Sequence, residues 1–217
     1  MDFEKLMQER YTCKHYDASK KIPAELITRL LQTVRLTPSA VNLQPWYFFV
    51  AETDAAKAKI APGVMEMNAE RFEKCSHVIV LCARTDATEE YISKVVDKED
   101  ADGRFGRVPG ARAGQDAGKK RFAGLHAISP SELIAWNSRN AYLALATLMY
   151  AAADLGIDST PLEGIVPAAV DRCLNLSEKG LTCLCMVCLG YWAADDSNVL
   201  SNRPKSRLAL EDIVTEL

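Results

Sequence analysis

Basic side chains near the two ends of the sequence offer the first possible chemistry. Arg10 and Lys14 are spaced i, i+4, and Lys205 and Arg207 are spaced i, i+2. Either pair alone is ordinarily a solvated face. Brought together, the two pairs would make a cationic pocket suited to a phosphate, with arginine gripping through paired donors and lysine acting as a point charge. A second cluster is the loop-like run from Pro38 through Ser39, Ala40, Asn42 and Gln44 to Trp46. Hydroxyl, carboxamide and backbone donors between two prolines can read the edges of a heterocycle, although the same run also serves as a helix-to-strand connection. The third cluster is Pro161-Leu162-Glu163-Gly164. Glycine lets a backbone N–H come close to a flat ring, but taken alone the tetrapeptide is a turn.

Other chemistries find little support. No Gly-x-Gly-x-x-Gly, Walker loop, His-Glu-x-x-His or Gly-x-Ser-x-Gly occurs in the sequence. The three histidines, His15, His77 and His126, suggest neither a metal centre nor a Ser-His nucleophile. Cys183-Leu184-Cys185-Met186-Val187-Cys188 contains Cys-x-x-Cys, but it lies in an apolar run that reads as a strand. Strand alternation puts Cys183 and Cys185 on one face and Cys188 on the other, as small core residues rather than a converging thiol or zinc site.

The elements that must position these groups follow from patterning. Asp2 can cap a helix to about Glu9, and Tyr11 to Tyr16 suits a short strand or extended turn. Pro23 suits the first position of a second helix, whose Leu26, Ile27, Leu30, Leu31 and Val34 share a face and which stops near Thr37, before Pro38. Trp46–Ala51 reads as a strand, Asp54 to Lys74 as two short helices, and His77–Ala83 as a central strand buried on both faces. Glu89 to Asp102 looks helical. Gly103 to Gly118 has little core character and reads as lid-like, part of an excursion spanning about 103–130. Ser131 can cap a long helix to Leu155 that Gly156 ends. Ile157–Pro161 is a short strand, Pro167 starts a helix, and Leu181–Trp192 is a second apolar strand before a polar tail. Few strands among several helices, without regular alternation, make an α+β fold, and 217 residues without a long linker fit one large domain or two small ones.

Bulk composition fits this. Hydrophobic residues make up 48% and charged residues 25%, enough for a sizeable core. The net charge of −3, from 26 basic and 29 acidic residues, gives no electrostatic case for nucleic acid or an acidic membrane. The most apolar segment, 141–153, is short of the roughly 20 residues a membrane span needs. Seven cysteines without scaffold spacing, and no signal-like start, point to free thiols in a cytoplasmic protein.

Taken in register, these clusters resemble the nitroreductase family, and within it the oxygen-insensitive NAD(P)H nitroreductases that also act as flavin or dihydropteridine reductases. The resemblance is carried by Arg10–Lys14, Asp17–Lys21, Pro38–Trp46, Val95–Phe105, Pro161–Gly164 and Pro204–Leu208, and spans essentially the whole chain. It implies a single domain, 1–217, with a mostly antiparallel sheet flanked by helices. It also implies a homodimer with FMN at the interface and a C-terminal extension packed on the partner subunit. By resemblance Arg10, Thr12, Lys205 and Arg207 hold the FMN phosphate, with Tyr11 beside them, and Lys14 lies near the N1 edge of the ring. Asn68 and Arg71 match positions near the pyrimidine. Pro38, Ser39, Ala40 and Asn42 come from the partner, and Pro161, Leu162, Glu163 and Gly164 approach N5, with the Gly164 N–H as donor. Phe122 and Arg104 match positions that meet substrate and nicotinamide nucleotide. The family often has His, Ser, Ser and Lys where this chain has Tyr11, Thr12, Ala40 and Arg71, which bears on substrate preference and FMN affinity more than on reaction class.

The resemblance further implies NAD(P)H-driven, ping-pong, two-electron reduction of nitroaromatics, quinones, flavins or pteridines. No side chain is expected as acid or base; Lys14, Arg71 and Gly164 tune the ring instead. The alternatives are a non-catalytic FMN-binding or storage protein, a relative that dehalogenates or fragments flavin, and a thiol or zinc protein built on Cys183–Cys188.

Overall fold

A computed structural model describes residues 2–106 and 108–217. Met1, and Arg107 inside the stretch read as lid-like, lie outside the described residues. Eight α-helices and four strands form among the described residues. In chain order they are α1 (Phe3–Glu9), α2 (Ala24–Arg35), β1 (Trp46–Ala51), α3 (Asp54–Ile60), α4 (Ala69–Lys74), β2 (His77–Arg84) and α5 (Glu89–Ala101). Then come α6 (Ala111–His126), α7 (Pro130–Asp154), β3 (Asp158–Leu162), α8 (Pro167–Leu174) and β4 (Leu181–Gly190). The sheet order is β1-β2-β4-β3 with every pair antiparallel, so the two most apolar strands occupy the centre, as their composition requires.

Two apolar layers cover the sheet. On one face Leu30 and Val34 of α2 and Ala141, Ala144 and Leu148 of α7 pack on Ile79, Leu81 and Val187. On the other, Ile60, Phe72, Val170 and Tyr16 pack on Val78, Val80 and Met186. Cys185 and Cys188 lie on opposite faces as expected, but Cys183 joins Cys188 rather than Cys185. Cys183 and Cys188 lie on the second face and Cys185 on the first. The cause is a β-bulge: Leu81 pairs with Cys185 and Cys82 with Cys183, so Leu184 is an extra residue and the alternation slips by one. All seven thiols are free.

Local signals place most helix ends. Asp2 accepts from the Lys5 N–H and caps α1, while Pro23 stands just outside α2 as its N-cap rather than within it. The cap of α7 is Ser129, two residues before the expected Ser131, because Pro130 fills the first helical position and Ser129 Oγ reaches the Glu132 N–H. Residues 111–118 of the stretch read as lid-like are helical, the first half of α6, and a third apolar cluster of Leu43, Ile92, Val96, Ala123, Leu133 and Trp136 fastens α5 and α6 to the rest. After β4 the chain doubles back along residues 11–16, with the Ala193 N–H donating to the His15 carbonyl. Beyond it Leu208, Leu210, Ile213 and Val214 are exposed. Among the described residues no helix is long and apolar enough to cross a membrane, and no group of three or more metal-ligating side chains gathers.

Candidate active site

The chain ends meet. Arg10, Tyr11 and Thr12 line a cavity of about 210 Å³ with Arg203, Pro204, Lys205, Ser206 and Arg207. Buried Asp196 fixes this apposition by accepting from the Lys14 N–H at 3.2 Å and the Tyr11 hydroxyl at 3.2 Å. Asn198 Nδ2 donates to the Thr12 carbonyl at 2.7 Å, and the Lys205 ammonium donates to the carbonyls of Met7 and Arg10. A second cavity of about 580 Å³ shares Arg10 and Tyr11 but mixes Lys5 and Lys20 with Asp2, Glu9, Asp154 and Asp158, and with no excess of cations it is the poorer phosphate site.

The electrostatics are those of crowded cations. Burial, and then neighbouring Arg207, hold the Arg10 guanidinium below its usual range. Burial, Arg10 and Arg207 do the same to Lys205. Arg10 Nε is buried with no hydrogen-bond partner among the described residues. That N–H goes uncompensated among them, and it is the four cationic side chains lining the cavity, Arg10, Arg203, Lys205 and Arg207, that suit it to an anion.

Lys14 continues the cationic track. Burial, and then Arg71, lower its pKa. Arg71 Nη1 donates to Asn68 Oδ1 at 2.7 Å, and Asn68 Nδ2 donates to the Gly164 carbonyl at 2.8 Å. Arg71, Asn68 and Gly164 therefore form one hydrogen-bonded series, with the Lys14 ammonium electrostatically close to its Arg71 end. Glycine is required at 164 because a Cβ there would lie 2.4 Å from Asn68 Nδ2. Among the described residues the Gly164 N–H meets no protein acceptor, while its carbonyl also accepts from the Met65 N–H. Exposed Glu163 takes a 2.5 Å hydrogen bond from the Tyr142 hydroxyl, whose pKa is raised by burial and then by that carboxylate. Pro161 and Leu162 belong to β3 and set this turn at the sheet edge.

The Pro38–Asn42 loop stands apart. Neither exposed Pro38 nor Ser39, Ala40 or Asn42 lines the cationic cavity. The loop is held instead by helices: the Ala40 N–H donates to Asn140 Oδ1 at 2.7 Å, and Asn42 Nδ2 donates to Glu99 Oε1 at 2.7 Å. Val41, Asn42 and Gln44 take left-handed φ of 48°, 52° and 53°. For a β-branched valine this is a strained conformation, costing of order 1–3 kcal/mol. Arg104 and Phe122, both largely exposed, sit at the α5–α6 junction and on α6, also away from the cationic cavity.

Sequence reasoning missed Asn198 and Arg203 in the cavity, Asp196 as its organiser, and Glu99, Lys119, Asn140 and Tyr142 as the groups that hold the loop and turn. Arg203 was open to detection by its closeness to Lys205. The others carry no local signal, because their partners lie far away in sequence.

Residues 7–191 match the profile of the nitroreductase family, and the chain belongs to that family. It is 37% identical over 220 residues to an oxygen-insensitive NAD(P)H nitroreductase of Salmonella typhimurium, covering 100% of both chains. It is 35% identical over 215 residues to the major NAD(P)H-flavin oxidoreductase of Aliivibrio fischeri, covering 97% of this chain and 96% of that one. The fold also superposes with a TM-score of 0.81 on a nitroreductase-type protein of Exiguobacterium sibiricum solved in complex with FMN, at 23% identity, covering 100% and 98% of the two chains.

Proposed function

We propose that this protein is an FMN-dependent NAD(P)H oxidoreductase that reduces nitroaromatics, quinones, flavins or pteridines by two-electron transfer. The observation that carries the reading is the convergence of Arg10, Lys205 and Arg207 on one cavity beside a buried, unpartnered Arg10 Nε. The residues fit the cofactor: a phosphate would find Arg10, Thr12, Lys205 and Arg207, with Tyr11 alongside. When bound, FMN supplies reversible hydride acceptance.

The chain's own groups then have distinct tasks. Lys14 and Arg71 supply fixed positive charge where negative charge collects at the ring edge, and fixed charge needs little reorganisation. Asn68 holds both Arg71 and Gly164 in place, and the Gly164 N–H is a spare donor. Pro161, Leu162 and Glu163 complete that turn. Arg104 and Phe122 receive the nicotinamide nucleotide and the acceptor, with about 103–130 acting as a lid on a single domain, 1–217.

Two copies share the work in this reading. Pro38, Ser39, Ala40 and Asn42, held away from their own chain's cationic cavity, serve the cofactor of the other copy. The exposed apolar C-terminal extension packs on that partner in a homodimer. Seven free thiols accord with the cytoplasm. Absorbance decides the matter. Purified protein should be yellow with one FMN per chain, bleach on NAD(P)H, recover on a quinone or nitroaromatic, and give parallel double-reciprocal lines. Colourless protein that cannot be loaded with FMN, or flavin that NAD(P)H leaves oxidised, rejects the proposal.

A further inference from the structure

Glu99 of α5 and Lys119 of α6 are buried charges that the proposed reaction does not use. They meet at 3.0 Å. The same ammonium donates to the Val41 carbonyl at 2.6 Å, and the same carboxylate oxygen accepts from Asn42 Nδ2 at 2.7 Å. One ion pair thus holds two consecutive residues, one by its backbone and the other by its side chain. Those are the residues at φ 48° and 52°, a conformation that persists only where the surroundings impose it.

Stability alone is a poor reason to bury this pair. Desolvation opposes the Coulombic gain, and apolar isosteres in place of a buried ion pair are often neutral or stabilising. What the pair supplies is a defined loop shape. Arg104 adds a link to the α5–α6 junction: its Nε lies 3.5 Å from the same Glu99 oxygen, and its backbone N–H donates to the Glu99 carbonyl at 2.9 Å.

We infer that Glu99 and Lys119 form a positioning latch that fixes the strained Val41–Asn42 backbone and ties α5 and α6, with Arg104 at their junction, to the loop that reads the cofactor. The inference rests on the reading above that this loop lies against FMN. Neither residue touches the cofactor; both act through the loop.

The test is flavin-fluorescence titration of the apo-protein with FMN, alongside circular-dichroism melting. The variants are Lys119→Met, Lys119→Arg and the volume-matched pair Glu99→Gln/Lys119→Met. The pair variant carries the test should Lys119→Met alone fail to fold. The folded variants lacking the ammonium should bind FMN about tenfold or more weaker, the worth of a charge-assisted hydrogen bond. Lys119→Arg should recover part of the loss, and the pair variant should be no weaker than Lys119→Met. A folded pair variant with the FMN affinity of the unsubstituted protein overturns the latch alone. Unsubstituted protein that takes up no FMN overturns the cofactor reading and the latch with it.

Discussion

Asn68 Nδ2 donates to the carbonyl of Gly164 at 2.8 Å, across 96 residues of sequence, while Asn68 Oδ1 receives Arg71. One carboxamide therefore sets both a guanidinium and a backbone turn. It has no slack, because the approach is closer than a methyl group at position 164 permits.

Replacing Gly164 with alanine tests this. The added Cβ would meet Asn68 Nδ2 at 2.4 Å, so the carboxamide must move and Arg71 loses its anchor. Overpacking of this sort costs about 1–3 kcal/mol. Gly164→Ala should melt earlier and bind FMN less well, and Asn68→Ala in the same chain should return part of the lost melting temperature. Equal melting temperatures for Gly164→Ala and the unsubstituted protein would show that the turn gives way freely.

FMN binding should weaken as pH climbs toward the ordinary lysine value of 10.5. Burial lowers the pKa of Lys14 and of Lys205 in the folded protein below the ordinary 10.5. Between the lowered value and 10.5 the folded chain binds fewer protons than the unfolded one, so these two lysines make the apo-protein more stable as pH rises through that window. An arriving phosphate favours their charged forms, so binding takes up protons and loses strength over the same window. Titrations from about pH 8 to 10, in buffers of different ionisation enthalpy, measure both effects; an affinity independent of pH there contradicts the assignment.

Only one thiol should be readily available in native protein. Cys173 is half-buried, and the other six cysteines are buried. Burial pushes the Cys82 and Cys185 thiols up to about 12, which starves them of reactive thiolate. A chromogenic thiol reagent should titrate one group quickly in the native state and all seven after denaturation. Fast reaction of a second group would mean that one of the six buried cysteine sites opens in the native state.

Leu210→Asp with Ile213→Asp tests the tail. Both side chains are exposed in the single chain, where aspartate costs little. At a dimer interface the same change buries charge, so sedimentation velocity should find dissociation at concentrations where the unsubstituted protein is dimeric. An unchanged sedimentation coefficient would place the tail outside the interface.

The sequence was most legible where the cause of structure is local. β1 matched residue for residue, and the two central strands announced themselves as continuous apolar runs, because burial on both faces leaves few polar positions to break the pattern. Caps were found to within two residues. The failures share one origin. A single extra residue at Leu184 put Cys183 and Cys185 on opposite faces, and nothing in Cys-Leu-Cys marks a bulge. Helix α6 was hidden by its glycines and arginines, since the side chain that anchors it is a lysine whose partners lie 20 and 78 residues away. The site itself divided in the same way. Arg10, Lys205 and Arg207 could be named from charge and resemblance, whereas Asp196 and Asn140 could not, because a buried hydrogen-bonding residue is defined by what surrounds it.

The cationic cavity joins backbone at residues 10–12 to side chains almost two hundred residues further along, with Lys205 bonded to the Arg10 carbonyl. Such a contact closes a loop of nearly the whole chain, so its entropy penalty is met only after the sheet has formed. A half-finished or mispaired polypeptide can have strands and helices and still lack anywhere to grip a phosphate. Pigmentation of this protein would thus certify completed folding, and added flavin would rescue marginal variants by drawing the population toward the one species able to hold it.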